Sequence, residues 1–158
     1  GMRIGELEAL TPADIDLGAG SITINKTYHL INGEGIITSP KTQKANRTIL
    51  IPPFLVEIIR KYEKRIYGLT PSARLFIASH STYARQLEDH IKMAGVKRIR
   101  LHDLRHSHAS LLIEMEISVL YISERLGHED IQTTLEIYAH LYPNKNEQIM
   151  DKLNALCA

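Results

Sequence analysis

At Pro52-Pro53 the spacing of apolar residues changes its period, and that change leaves this chain few folds to adopt. Before it, "SITINKTYHL" (21–30) alternates with period two, "NGEG" (32–35) has hairpin chemistry, and "RTILIP" (47–52) is a β-branched run stopped by proline. After it, "PFLVEIIRKYEKRIYGL" (53–69) sets Leu55, Ile58, Ile59, Tyr62 and Ile66 on one face, with Gly68 as a stop signal. A second helix follows over 81–95, opened by a Ser/Thr cap and closed at Gly95. Further helices are predicted at about 102–115, 118–126, 130–141 and 144–156, with Asp130 and Asn144 as N-caps. "RLFIAS" (74–79) reads as a short extended piece. Upstream of the strands, Ile4, Leu7 and Leu10 keep a three-residue spacing, so 3–10 reads as the last turns of a helix ended by Thr11-Pro12. The pattern predicts an α+β fold: a small antiparallel three-stranded sheet packed on a mainly α-helical bundle.

With 158 residues, 44% of them apolar and 23% charged, the chain suits one domain with a real core. No linker composition divides it, so a single domain over 1–158 is expected. A chain that opens inside a helix reads as excised from a longer protein. No apolar run approaches a membrane span, and the first ten residues hold no apolar signal core. Cys157 is the only cysteine, so no intramolecular disulfide can form, and a reducing cytoplasm is the expected location.

The net charge of +1 does not announce a nucleic-acid partner, but its distribution is uneven. Glu6, Glu8, Asp14 and Asp16 lie in a stretch without a base. Two basic zones follow, one with Lys41, Lys44, Arg47, Arg60, Lys61, Lys64 and Arg65, the other with Lys92, Lys97, Arg98, Arg100 and Arg105. From charge alone they are solvated helix faces, or together one positive face.

"LHDLRHSHAS" (101–110) crowds protonatable rings into one apolar stretch. On a helix, His102, Arg105 and His106 share a face, and His108 points elsewhere. A metal site would use His102 and His106, but Arg105 puts a fixed positive charge beside them and there is no H-E-x-x-H. A pH switch is open to any histidine. An anion site is the third reading, because histidine and arginine can both donate to one phosphate, and the stretch alone favours none of the three strongly. For His106 and His108 singly, partly buried rings bonded to backbone or water are the simpler reading. In "LGHEDIQTTLEIYAHL" (126–141), Gly127 ends one helix and Ile131, Leu135 and Tyr138 stripe the next. On spacing alone Tyr138 is either core or the partner of His128 across the turn. Arg3 and Lys41 are individually weak signals: an exposed helix residue and a loop lysine.

Taken in order, G-M-R-x-G-E-L, the basic "PKT" loop, H-D-L-R-H, L-G-H and a tyrosine ten residues later followed by "AHL" resemble the catalytic domain of the tyrosine recombinase (phage integrase) family, in the manner of prophage and conjugative-transposon integrases. The resemblance runs from Arg3 to about Leu141. It implies the catalytic core fold of DNA breaking-rejoining enzymes, and site-specific recombination that integrates or excises a mobile element. It assigns Arg3 and Arg105 to the scissile phosphate, His128 to a further hydrogen bond there, and Tyr138 to nucleophilic attack giving a 3′-phosphotyrosyl bond. Lys41 would be the general acid on the leaving 5′ oxygen, with Lys44 as the alternative register, and His102 would orient Tyr138 or accept its proton. The implied partners are double-stranded DNA and, in the synaptic complex, three further copies of the chain; the isolated domain would be a monomer. No metal, cofactor or membrane is implied. The family's DNA-binding domains would precede this segment and lie outside it. The C-terminal stretch 142–156 would pack on its own domain or dock on a neighbouring protomer. A non-catalytic DNA-binding regulator on the same scaffold, a type IB topoisomerase and a metal-dependent hydrolase built on His102, His106 and His128 remain as alternatives.

Overall fold

The computed structural model describes residues 1–40 and 42–141, with Gln43, His140 and Leu141 described by backbone alone. It is α+β. Helix α1 (Ile4–Ala9) leads through a 3-10 turn over Pro12–Asp14 into strands β1 (Ile15–Asp16) and β2 (Ser21–Ile24). Strand β5 (Arg47–Leu50) completes an antiparallel sheet of order β1-β2-β5, in which Ile22 lies opposite both Ile15 and Ile49. Period two turns Ile22, Ile24, Ile49 and Ile51 to one side, where they bury with Leu10, Val56 and Leu75.

The sequence predicts one antiparallel sheet of three strands; the described residues contain such a sheet and, beside it, a second of two strands. "SITINKTYHL" is not one strand: it breaks at Asn25-Lys26 into β2 and β3 (Thr27–Ile31). Lys26 explains the break. Its ammonium lies 2.7 Å from one Asp14 carboxylate oxygen and donates to the other and to the Thr11 hydroxyl, so the chain is pinned there and leaves the first sheet. Among the described residues β3 pairs only with β4 (Glu34–Thr38). Their turn has positive φ at both Asn32 (52°) and Gly33 (85°), the type I′ geometry that Asn-Gly favours. Helix α1 packs on this hairpin closely: a Cβ on Gly5 would stand 2.6 Å from Thr27 Oγ1 and 2.8 Å from the Tyr28 carbonyl.

The helices follow the predicted order: α2 (Pro53–Glu63), α3 (His80–Ala94), α4 (Asp103–Glu114), α5 (Val119–Leu126) and α6 (Gln132–Leu141). The α3 cap is Ser79, whose hydroxyl accepts from the Thr82 amide, and Gly95 closes that helix in the left-handed conformation. Asp130 accepts from the Gln132 amide at the start of α6. "RLFIAS" is not a strand. Leu75 is buried there, its amide donating to the Leu10 carbonyl, and Phe76 stacks on Tyr62. A second core joins α4 and α5 through Ala109, Ile113, Ile122 and Leu126, and α6 packs Ile137 and Tyr138 against it. The polar site lies at the seam between the two cores. Among the described residues no helix is long and apolar enough to cross a membrane. The predicted 144–156 helix and its Asn144 cap lie outside the described residues.

Candidate active site

The site is organised by the end of α5. Gly127 caps that helix with φ of 66°, leaving the last carbonyls without helical partners. Three arginines from three other parts of the chain take three consecutive carbonyls. Arg47 Nε donates to Arg125 O at 2.9 Å, Arg105 Nη2 to Leu126 O at 2.7 Å, and Arg3 Nη2 to Gly127 O at 3.0 Å. A helix C-terminus carries partial negative charge, so cations gather there. Gly127 is required twice over. Its φ suits glycine, and a Cβ on it would meet the Arg47 guanidinium at 2.7 Å.

One carboxylate enters this corner. Glu6, buried on α1, accepts from Arg3 Nη1 and Arg47 Nη1 through Oε1, and from Arg47 Nη2 and the Arg3 amide through Oε2. Burial works to raise its pKa, but the Arg47 hydrogen bonds and charge, with those of Arg3, hold it below the ordinary carboxylate range. Arg105 has no such partner. It is 5% exposed, its second nitrogen donates to the Gly1 carbonyl at 2.7 Å, and among the described residues no carboxylate pairs with it. Burial, then the charge of Arg3, lowers its pKa to about 10, so it stays protonated at neutral pH.

His128 follows Gly127 and is buried, with Nδ1 2.7 Å from the Thr134 hydroxyl on α6. Burial, and then the charges of Arg105 and Arg3, push its pKa down to about 4, so the ring is neutral. A cleft of about 320 Å³ opens beside Arg3 and Gly127, bounded by Thr27, His29 and Pro40 of the hairpin side and by Glu129.

Arg3, Arg105 and His128 therefore meet around Gly127. His102 is one turn before Arg105, as the N-cap residue of α4 rather than within it, and is exposed. Its pKa is lowered by partial burial, then by His106 and Arg105. Lys44 is exposed and donates to the Glu129 carbonyl at 2.9 Å, while Lys41 lies outside the described residues. Tyr138 is half-buried against the second core, one helical turn after Thr134. The reading of His106 as a partly buried ring needs correction. His106 is exposed, its ring packed edge-on against His102 at 4.7 Å. His108 is half-buried, as expected; among the described residues its Nε2 has no hydrogen-bond partner, and burial, with nearby cations, lowers its pKa to about 4. Among the described residues no three His, Cys, Asp or Glu side chains gather as ligands for a metal.

Three residues of the site escape the sequence reading: Glu6, Arg47 and Thr134. Glu6 stands three residues after Arg3, the spacing of a capping box. Arg47 shares the parity of Ile49 in β5 and of Ile51 just beyond it, so period two already turns it inward. Among the described residues the two basic zones are otherwise solvent-facing or paired at the surface, as with Arg98 to Glu88 and Arg100 to Asp103.

Relatives match nearly the whole chain. It is 32% identical to the ICEBs1 integrase of Bacillus subtilis (strain 168), covering 99% of this chain and 46% of that protein. It is 34% identical to the integrase of Staphylococcus phage L54a, covering 99% and 49%. The chain thus spans about half the length of the curated relatives it matches. Among solved structures, the Tn1549 transposon integrase bound to transposon right-end DNA aligns with a TM-score of 0.81 at 22% identity, covering 99% of this chain and 55% of that one. The XerA recombinase aligns with a TM-score of 0.67 at 25% identity, covering 90% and 51%. Residues 1–145, from before Arg3 to beyond Tyr138, match the phage integrase family, and the chain belongs to that family.

Proposed function

We propose that this domain is the catalytic part of a tyrosine-type site-specific recombinase. It cleaves and rejoins double-stranded DNA during integration or excision of a mobile element. The observation that carries the reading is the charge balance at the end of α5: three guanidiniums, one carboxylate, and a buried Arg105 with no carboxylate partner among the described residues. Such a corner is short of an anion, and a phosphodiester supplies one.

The chemistry then follows from the side chains. Arg3 and Arg105 donate to the non-bridging oxygens and stabilise the charge that grows on them as phosphorus becomes five-coordinate. Neutral His128 adds a hydrogen bond without adding charge. The Tyr138 oxygen attacks phosphorus in line, a P–O bond to tyrosine forms, and the bond to the 5′ oxygen breaks. The phenolic proton passes to a base, for which His102 is the candidate, and the 5′ oxygen takes a proton from Lys41, or from Lys44 in the alternative register. The ester energy stays in the 3′-phosphotyrosyl bond, so a different 5′-hydroxyl reverses the step and strands are exchanged. Support also comes from the relatives, which are integrases, and from the DNA-bound state of the Tn1549 integrase.

The same reading makes this domain a portion of a longer protein that acts on DNA as a tetramer in the bacterial cytoplasm. The isolated domain should be monomeric and at most slowly nicking, because little of its charge is free to hold DNA. The test is a randomised pool of suicide duplexes, each nicked so that a cleaved end is lost. Covalent protein–DNA adduct that disappears in Tyr138→Phe and survives a chelator is expected. No adduct, even from a chain of the relatives' full length that binds DNA, would overturn the proposal.

A further inference from the structure

Thr134 is fully buried, and among the described residues its hydroxyl has one hydrogen-bond partner, Nδ1 of His128 at 2.7 Å. Two arrangements fit that distance. If Nδ1 carries the proton, it donates to the hydroxyl, and the hydroxyl hydrogen is left buried with no acceptor. If the hydroxyl donates, Nδ1 accepts, and only a second oxygen lone pair goes unused. A buried donor without an acceptor costs about 1–3 kcal/mol, whereas a spare lone pair on an already bonded oxygen costs little. The second arrangement wins, and it puts the proton of the neutral ring on Nε2.

We propose that Thr134 is a positioning residue: its hydroxyl donates to Nδ1 of His128, holds the imidazole in the tautomer with hydrogen on Nε2, and ties the helix that bears Tyr138 to that ring. Thr134 and Tyr138 are four residues apart in α6, so the bond fixes the same helical face that presents the tyrosine. Burial first, and then the surrounding groups Arg105, Arg3, His106 and Arg47, which are cationic or can become so, keep the ring neutral so that the tautomer matters. The importance of the tautomer for cleavage rests on the recombinase reading, because only a donor at Nε2 can serve a phosphate oxygen.

The experiment pairs two readouts on wild type, Thr134→Val and Thr134→Ser. Nitrogen-detected imidazole NMR of the histidine-labelled domain reports the tautomer without DNA, and the suicide-duplex assay reports the rate of adduct formation. In wild type and Thr134→Ser, Nδ1 should be unprotonated and Nε2 protonated. In Thr134→Val the tautomers should mix, and adduct formation should slow by up to roughly 100-fold, with recovery in Thr134→Ser. A wild-type ring protonated on Nδ1 overturns the inference, and so does a folded Thr134→Val with unchanged tautomer and rate. Should Thr134→Val fail to fold, the wild-type and Thr134→Ser tautomers still decide it. Absence of adduct from wild type, with the tautomer as stated, counts against the recombinase reading and not against this assignment.

Discussion

Arg47 and Arg105 reach the same helix end from opposite halves of the molecule, and both are almost fully buried. Arg47, from the sheet, meets the Glu6 carboxylate with two nitrogens at 3.0 and 2.8 Å. Among the described residues Arg105, from the helical half, meets only carbonyls. Burial costs each guanidinium several kcal/mol of hydration, and only one recovers it from an opposite charge. The sheet half thus supplies a neutralised strut, and the helical half a buried guanidinium that, on the proposed reading, awaits the phosphate. Arg3 stands between them, half-exposed, sharing Glu6 and opening on the cleft.

Substitutions should separate the two roles. The largest effect is on activity: Arg105→Met should slow adduct formation by roughly 100- to 1000-fold, the usual cost of one lost transition-state donor. Its cost in stability should stay below about 2 kcal/mol, since the loss of two carbonyl bonds is offset by removal of a buried charge. Arg47→Met should invert the pattern. It strands Glu6 in the interior with Arg3 alone, and should lower unfolding free energy in denaturant by about 3–5 kcal/mol. Equal stability losses from the two would break the comparison.

Acid provides a third lever. His128 titrates near 6.5 when unfolded and about 4 when folded. The unfolded chain therefore binds a proton that the folded one refuses, and stability falls as pH drops from 6.5 towards 4. The loss is about 3 kcal/mol for this group if the full shift is realised. His128→Gln should flatten the stability profile in that window relative to wild type; an unchanged slope would show that the ring is not held neutral. Smaller still, Gly127→Ala should cost about 1–2 kcal/mol for the left-handed backbone alone, plus displacement of the Arg47 guanidinium. Combined with Arg47→Met it should be less than additive, because the clash is then gone.

What the sequence disclosed depended on range. Most helices, and the stops at Gly95 and Gly127, were legible because apolar spacing and glycine act within a few residues; α2 ends at Glu63, short of the expected stop at Gly68, and α3 is capped by Ser79 rather than at Ser81-Thr82. The hairpin was legible from Asn32-Gly33 for the same reason. The break between β2 and β3 was not, because it depends on Lys26 finding Asp14 twelve residues upstream. The partners of the acidic stretch were not legible for the same reason: Glu6 and Asp14 are each buried against a base that lies well downstream in the chain, Arg47 and Lys26. Arg3, Arg105 and His128 were recognisable as an ordered set of motifs, and the structure gathers them at Gly127. Glu6, Arg47 and Thr134 belong to no local motif that announces chemistry. They became visible only where three chain segments cross.

The central claim is that the anion drawn to this corner is a DNA phosphate attacked by Tyr138. Peptide mapping of the covalent adduct by mass spectrometry tests it most directly. The account predicts one DNA-linked peptide, with the nucleotide attached through its 3′ phosphate to the oxygen of Tyr138. A DNA link to any other residue, or through a 5′ phosphate, would contradict it.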